Sequence, residues 1–454
     1  MRKYFGTDGI RRIANTELSP ELVYKVAKAG AYVLSKHTDH TPTILIGRDT
    51  RISGTLIESA MVAGFLSYGA NVKLLGVIPT PAVAYLTRKL NADAGVVISA
   101  SHNTYEFNGI KYFSNKGTKI PDSLEEEIEE VMDSGKLDEL TAVNDKIGVS
   151  EYKLDLIDEY VYFFRKNFDD NIEKYNRKDF VVGIDTANGA TYSVAEKVFK
   201  ALGINYKIIN NQPDGININE NCGSTHLEGL KKFVLDNNLS LGIAYDGDGD
   251  RCLAVDEKGN EMDGDKLLAI ISANLRKKGK LNKDTIVATV MSNLGLNKYA
   301  RDNGLELLQT KVGDRYVLEE MLKDGFNLGG EQSGHIILLD YNPTGDGILT
   351  SLMLIQSILE EDKKASELNE IVKLYPQILI NAKVNADKKY DYDKNEEIKQ
   401  AIEKLEKEFA GNGRVLIRPS GTEPLVRVMI EGEEQEYITK KAKEIADLIE
   451  KNLK

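Results

Sequence analysis

Between Thr43 and Leu339 the chain passes three times from short β-branched segments into longer amphipathic ones, and this alternation restricts the fold more than any other feature. Ile44–Ile46, Val72–Leu75 and Val96–Ile98 read as buried strands, with helical patterns at Leu56–Tyr68 and Ala82–Leu90 between them. The rhythm restarts at Val181–Ile184 with a helix near Tyr192–Leu202, and again at Ile286–Thr289 with Leu294–Asn303 and a strand around Leu305–Gln309. Strands separated by helix-length segments pair in parallel, since a parallel return needs a crossover. After Glu370 the pattern changes: a strand at Ile378–Val384, a charged helix at Asn395–Phe409, two strands across Arg414–Ile430 and a closing helix at Tyr437–Leu453. The fold class expected is three tandem α/β domains with mixed, mostly parallel sheets plus a smaller C-terminal α+β domain. Polar and charged breaks set the expected boundaries at 1–150, 151–255, 256–368 and 369–454. A chain of 454 residues needs such a division, because single cores stop growing near about 250–300 residues.

Composition narrows the function classes. The net charge of −12 argues against a nucleic-acid footprint, and the scattered Tyr and Phe offer no stacking platform. Anionic small substrates stay open, because the field inside a cleft matters more to them than total charge. The only cysteines, Cys222 and Cys252, lack metal-ligand spacing and suggest neither disulfide nor zinc. The start of the chain has no apolar core of a signal peptide, and no run approaches the roughly 18 apolar residues of a membrane span. A cytoplasmic protein with no membrane or nucleic-acid partner is expected.

Four segments carry chemistry. Ser99-Ala-Ser101-His102-Asn103 follows the apolar run Ala94–Ile98, at the end of a parallel strand where α/β sheets place ligands. It reads either as a polar turn or as a nucleophile or phosphate carrier. Lys111, ten residues on, returns to the same site if a following strand doubles back, to offset phosphate charge or to serve in acid–base chemistry. Asp246-Gly-Asp248-Gly-Asp250-Arg251 puts three carboxylates at alternate positions, which repel one another unless they share a hard cation. Asp246, Asp248, Asp250 and Glu257 also fit positions of an EF-hand loop, but Arg251 stands where that loop needs glycine, and Cys252–Asp256 alternates like a strand. Gly329-Gly-Glu331-Gln-Ser333-Gly-His335 combines close-approach glycines with groups able to bond hydroxyls or an amine. Arg418-Pro-Ser420-Gly421-Thr422, with Arg427 on the next strand, has the ingredients of a phosphate cradle. Gly47–Gly54 lacks the Gly-Lys-Ser/Thr of a P-loop and reads as the start of a helix with Ser53 as its N-cap.

In this order the four motifs resemble the phosphohexomutase superfamily from Gly6 to about Gly432. Gly6-Thr-Asp-Gly-Ile-Arg11, the Gly-Glu-Gln-Ser-Gly-His loop and Thr344-Gly-Asp-Gly-Ile-Leu349 look most like its bacterial amino-sugar members. The resemblance implies four domains around a cleft and interconversion of glucosamine 6-phosphate and glucosamine 1-phosphate through a sugar bisphosphate. That reaction supplies amino-sugar nucleotide and peptidoglycan precursors. A phosphomannomutase or phosphoglucomutase is the alternative. Ser101 matches the phosphorylated serine, with Asp246, Asp248, Asp250 and a Ser101 phosphate oxygen as ligands of one magnesium ion. Arg11, Lys111 and His102 fall with the catalytic group. Arg251, Glu331, Ser333 and His335 fall with the substrate contacts, and Arg418, Ser420, Gly421, Thr422 and Arg427 with the distal phosphate site. An activating kinase or sugar bisphosphate would load the serine, and the protein would be a monomer or homodimer. Thr104 and Arg12 stand where the family usually has proline and glycine, and loss of the proline frees the backbone after the serine loop.

Overall fold

A computed structural model describes residues 3–6, 8–168, 175–420 and 423–454. Its contacts divide the chain into two compact units, one of Met1–Met291 with Glu306–Ile371, the other of Ser292–Leu305 with Val372–Lys454.

The first unit holds three sheets, each mixed in direction. Sheet one contains β1 (Ile10–Ile13), β2 (Thr43–Arg48), β3 (Asn71–Val77), β4 (Ala94–Ile98), β5 (Phe107–Ser114) and β6 (Ser150–Tyr152), in the order β1-β5-β4-β2-β3-β6. β4, β2, β3 and β6 run parallel, and β5 turns back antiparallel to β4 with Lys111 opposite Val97. That reversal returns Lys111 to the end of the strand from which Ser101 emerges. The central strand β4 is buried throughout, as a strand covered on both faces requires. Val23, Val26 and Ala27 of helix Pro20–Ser35 pack with Ile57, Met61 and Phe65 of helix Gly54–Tyr68 in one core with Ile44, Ile46 and Val96.

Sheet two contains β7 (Val181–Asp185), β8 (Asn205–Ile209), β9 (Leu241–Tyr245), β10 (Cys252–Asp256) and β11 (Glu261–Met262), ordered β11-β10-β9-β7-β8. β9 is parallel to β7 and antiparallel to β10, so the Asp246–Arg251 segment is the loop between two adjacent strands. The alternation read at Cys252–Asp256 is β10, not the helix an EF-hand needs. Sheet three contains β12 (Thr285–Thr289), β13 (Glu306–Thr310), β14 (Leu328–Gly330) and β15 (Ile336–Leu338), ordered β13-β12-β14-β15. The Glu331–His335 loop joins its antiparallel pair β14 and β15. Parallel pairings outnumber antiparallel ones across the three sheets, as the alternation predicts.

The second unit is a three-stranded antiparallel sheet of β16 (Gln377–Lys383), β17 (Gly413–Pro419) and β18 (Leu425–Gly432), ordered β16-β18-β17. Helices Glu396–Phe409 and Gln435–Leu453 cover it, with Ile398, Leu405, Ile438 and Ile449 in its core. Helix Leu294–Asp302 follows β12 in sequence and groups by its contacts with the second unit. Polar contacts hold it there: Asn293 exchanges side-chain bonds with the backbone of Tyr375 at 2.9 Å, and buried Glu431 accepts from Leu294 N–H and from Arg414. Among the described residues no helix is long and apolar enough to cross a membrane.

Candidate active site

In the first unit, Ser101 stands just past the end of β4 in the left-handed region, with φ of 51°, a conformation that costs a non-glycine residue about 1–3 kcal/mol. Surrounding bonds hold it there. Arg51, fully buried and paired with Asp49, donates to the carbonyls of Ser101 at 2.9 Å and Asn103 at 2.8 Å, and also to Thr104 and Phe107. Asn219 donates to the same Ser101 and Asn103 carbonyls at 2.9 Å. Ser99 Oγ accepts from Ser101 N–H and donates to Asp49. The arginine therefore supplies the rigidity that a proline at position 104 would have given. The other departure, Arg12, donates to the Lys3 carbonyl and lies over the Tyr4 ring.

The Ser101 hydroxyl donates to Asp246 Oδ2 at 2.7 Å across 145 positions of sequence. Asp246, Asp248 and Asp250 are all buried, and each offers a carboxylate oxygen within 4.8 Å of the others. Thr80 donates to Asp248 Oδ2 at 2.7 Å, and Arg251 N–H donates to Asp246 Oδ1 at 3.2 Å. Asp248 Oδ1 and Asp250 Oδ1 are buried with no hydrogen-bond partner. Burial, then Asp250 and Asp248, push the Asp246 carboxyl well above the usual range, against Arg251 and Ser101. Three crowded carboxylates with orphaned oxygens are a donor set for a small hard cation with oxygen ligands, and the residues fit one.

The glycines between the aspartates have a steric reason. A Cβ on Gly247 would lie 2.5 Å from the Ser101 carbonyl oxygen and 2.7 Å from Asn219 Nδ2. Gly247→Ala will therefore push the aspartate loop off the serine loop. We expect a cost of about 1–3 kcal/mol in stability from overpacking. Activity should fall at least about 100-fold, since small misplacements at reacting centres have that effect. Thermal denaturation and initial rates on one preparation check both.

Lys111, buried on β5, puts Nζ 2.9 Å from Asp248, 3.1 Å from Asp8 and 3.6 Å from Asp250. Burial opposes its charge, but Asp248, Asp8 and Asp250 outweigh it and hold the ammonium well above the ordinary lysine range. Arg11 donates to Asn103 Oδ1 and Asp8 Oδ2, both at 3.1 Å. His102 places Nδ1 3.4 Å from the Ser101 hydroxyl and 3.2 Å from Arg251 Nη1. Burial first, then Arg251 and Arg11, lower its pKa to about 4, so the ring is neutral at pH 7.

Glu331 accepts from Gly313 N–H at 3.2 Å, and Ser333 Oγ is buried with no partner. Gln332 turns instead to Asp263, the N-cap of helix Gly264–Lys277, at 3.1 Å, so the middle of the loop anchors it. His335 lies 3.5 Å from Asp250 and 3.6 Å from Asp314. Burial disfavours a charge on its ring, but Asp250 and Asp314 outweigh burial and push its pKa up to about 9, against which stands its bond from the Gly345 amide. The Gly345 amide decides, because it only donates: its 3.0 Å bond to Nε2 makes that nitrogen an acceptor and leaves the proton on Nδ1, facing Asp250. These groups border a cleft of about 620 Å³ lined by Arg11, His102, Lys119, Arg251, Glu331 and His335 among others. Its lining carries both signs, with Arg11, Arg12, Lys119 and Arg251 beside Asp8, Glu17, Asp250, Asp314 and Glu331.

The structure thus brings Ser101, His102, Arg11, Lys111, the three aspartates, Arg251, Glu331 and His335 to one place, and sets Ser333 in the same loop. Sequence reasoning missed Arg51, Asn219, Thr80, Asp8 and Lys119. Lys119 bridges Asp8 and Asp314, the latter at 2.7 Å. Thr344–Leu349 supports the aspartates from behind: Gly347 N–H donates to Gly249 O at 3.0 Å, while Asp346 caps its helix and accepts from Tyr160.

The second unit carries the remaining residues. Arg418 on β17 is directly opposite Arg427 on β18. Burial and then Arg427 lower the Arg418 pKa. Ser420 accepts from Glu423 N–H at 3.2 Å, and Lys389 donates to its carbonyl at 2.8 Å. Like charges facing across strands destabilise a sheet, which marks the pair as a place for an anion. Gly421 and Thr422 lie outside the described residues.

Comparison with known proteins covers the whole chain. Family profiles for phosphoglucomutase/phosphomannomutase match as alpha/beta/alpha domain I over residues 2–139, domain II over 158–259, domain III over 263–375, and the C-terminal domain over 379–448. The phosphoglucosamine mutase of Ruminiclostridium cellulolyticum is 53% identical over 453 residues, covering 100% of both chains. Among solved structures, a phosphoglucomutase/phosphomannomutase family protein of Burkholderia thailandensis superposes with a TM-score of 0.78 at 22% identity, over 98% of this chain and 96% of that one. The N-acetylphosphoglucosamine mutase of Aspergillus fumigatus, solved with GlcNAc-6P and magnesium, superposes with a TM-score of 0.68 at 16% identity, over 100% and 96%.

Proposed function

The chain belongs to the phosphoglucomutase/phosphomannomutase family, and on that premise we propose that it interconverts glucosamine 6-phosphate and glucosamine 1-phosphate through a phosphorylated Ser101. It is an intramolecular phosphotransferase of the isomerase class. The observation that carries the serine's role is the 2.7 Å bond between the Ser101 hydroxyl and Asp246, made from a strained backbone that Arg51 and Asn219 hold.

Phosphate esters are anionic and kinetically inert, so the site must neutralise charge and align the reacting oxygens. Asp246, Asp248 and Asp250 would hold one divalent ion, which we assign as magnesium, together with an oxygen of the Ser101 phosphate. When bound, that ion supplies Lewis-acid neutralisation of the phosphoryl group. Phospho-Ser101 gives its phosphoryl group to a hydroxyl of the bound hexosamine phosphate, and the resulting bisphosphate returns its other phosphate to Ser101. Lys111, held protonated by its carboxylate neighbours, offsets charge and does not accept the hydroxyl proton. Arg251 and Arg11 add fixed positive charge beside the serine. The partnerless Ser333 hydroxyl and Glu331 grip the sugar. A kinase or a sugar bisphosphate loads the serine first. The cytoplasm suits a phosphosugar enzyme whose two cysteines are free and buried.

We assign Arg418 and Arg427 to phosphate recognition. Arg427→Ala should raise KM about 10–100-fold, the worth of a charged hydrogen bond. Because it relieves a like-charge pair, it should not lower the stability of the second unit. Steady-state kinetics and thermal melts read the two effects.

Parallel assays with glucosamine, glucose and mannose 6-phosphates test the substrate. The glucosamine ester should turn over with the highest kcat/KM. A higher value with mannose or glucose phosphate would make the chain a phosphomannomutase or phosphoglucomutase, and release of inorganic phosphate without isomer would refute mutase chemistry.

A further inference from the structure

Helices Thr80–Lys89 and Ile157–Phe168 pack together in the first unit, and a cavity of about 440 Å³ lies along their C-terminal halves. Three rings, Tyr85, Tyr162 and Phe163, and three cations, Arg88, Lys89 and Lys166, line it; among the described residues no carboxylate does. Its size falls in the range of small-molecule sites, about 300–1,000 Å³. Basic residues in a last turn complement a helix dipole, which accounts for their sign. It does not account for the rings beside them, or for cations left without counter-ions.

Phe163 gives the cavity a fixed floor, with its ring 4.7 Å from Tyr85, 5.0 Å from Phe164 and stacked at 6.1 Å on Tyr160. Tyr162 is 58% exposed, so a planar ligand can lie on it. Lys89, paired with Glu159, places its ammonium 5.7 Å from the Tyr85 ring centroid and 5.9 Å from that of Tyr162. Arg88 is half-buried. Its Nη2 donates to the Tyr341 carbonyl at 3.0 Å, while its Nε is buried with no partner. Neither Arg88 nor Lys166 has an ion-pair partner among the described residues. Burial lowers the Arg88 pKa, as expected of a cation withdrawn from water without a counter-ion. On a chain of net charge −12 these are places for an anion, and the rings beside them suit a planar group.

We propose that this cavity binds a nucleoside diphosphate, with its base stacked on Tyr162 and its phosphates held by Arg88 and Lys166, and that occupancy lowers mutase turnover. Stacking tolerates any base, and an arginine fork matches phosphate oxygens. Three full positive charges outweigh the roughly half negative charge at each helix end. The two helices carry the effect to the aspartates. Thr80 begins the helix that ends at Arg88 and Lys89, about 12 Å away at 1.5 Å per residue. Its hydroxyl donates to Asp248 Oδ2 at 2.7 Å and its N–H to the Asp248 carbonyl at 2.9 Å. From the other helix Tyr160 donates to Asp346, whose neighbour Gly347 donates to the Gly249 carbonyl. A ligand that shifts either helix draws the aspartate loop out of register with Ser101. The effect on turnover rests on the mutase reading; binding itself does not.

Isothermal titration calorimetry of the full chain with ADP and with UDP tests the site. Each should bind once per chain, and excess glucosamine 6-phosphate should not displace it. Uridine alone and inorganic phosphate alone should bind at least about tenfold more weakly, since each offers half of what is recognised. Lys166→Glu and Tyr162→Ala, both at exposed side chains, should each weaken UDP binding at least about tenfold, the worth of a charged bond or a stacked base. Neither should change the melting temperature or turnover without nucleotide. With magnesium in excess of nucleotide, saturating UDP should lower kcat of the parent at least about twofold and leave that of Lys166→Glu unchanged at the same concentration. No binding, displacement by glucosamine 6-phosphate, or affinity unmoved by both variants would overturn the site. Uridine or phosphate binding as tightly as UDP would overturn the ligand class, and binding with unaltered kcat would overturn the coupling. Calorimetry reads the site whether or not the chain isomerises glucosamine phosphates, so the two readings fail separately.

Discussion

Ser101→Ala will abolish isomerisation and leave the fold standing. Among the described residues the hydroxyl is the only group positioned both past the end of β4 and within 2.7 Å of the aspartate loop, so none of these neighbours can take over as phosphate carrier. Removing an enzyme's nucleophile lowers turnover by about 10⁴–10⁶-fold, and that range is expected here. The structural loss is small by comparison. One hydrogen bond to Asp246 disappears, worth about 1 kcal/mol, and alanine bears the left-handed backbone about as well as serine because Arg51 and Asn219 still bind the same carbonyl. Intact-mass spectrometry should find one phosphoryl group on active protein and none on the variant. Full activity in the variant, or phosphorylation elsewhere tracking activity, would end the phosphoserine mechanism.

The legible parts of this protein were those encoded locally. Strand β4 and the serine after it, β9 and the aspartates after it, and the arginine pair on β17 and β18 are each written within a dozen residues, with the apolar run announcing the strand and the polar cluster its end. What stayed hidden depends on partners far along the chain. Arg51 reaches the serine loop from 50 positions away, Asn219 from 118, and Thr80 reaches Asp248 from 168. No spacing rule connects such residues, because the folded topology alone joins them. Ser53 shows the same limit on a smaller scale. It occupies the N-cap of helix Gly54–Tyr68 as composition suggests, yet makes no capping bond, and its Oγ accepts from Asn108 at 2.9 Å. Gln332 is a further case, since its bond to Asp263, 69 positions away, fixes the course of the loop between β14 and β15.

Asp246→Asn will separate what the aspartate cluster does for catalysis from what it does to the fold, because the two effects have opposite signs. In the metal-free protein Asp246 is buried beside Asp250 and Asp248, and its carboxyl is pushed well above the usual range. An acid whose folded pKa lies above its unfolded value weakens the fold once pH passes the unfolded value, about 3.9, and the penalty grows until the folded pKa is reached. The amide is isosteric and uncharged. It can still accept from Arg251 N–H and can donate to Ser101 Oγ, so the local bonds survive while the repulsion is relieved. Without metal, the variant should therefore melt a few degrees higher than the parent at pH 7, and the gap should close as pH falls toward 4. With added magnesium the order should reverse. The parent gains stability by binding the ion, and the variant, with one carboxylate fewer, gains far less. Activity should drop by at least about 100-fold, since charge neutralisation at a transferring phosphoryl group is lost. Melting curves across pH, with chelator and with magnesium, read every part of this. A variant that melts lower without metal would mean that the three aspartates do not strain one another and that Lys111 alone balances them.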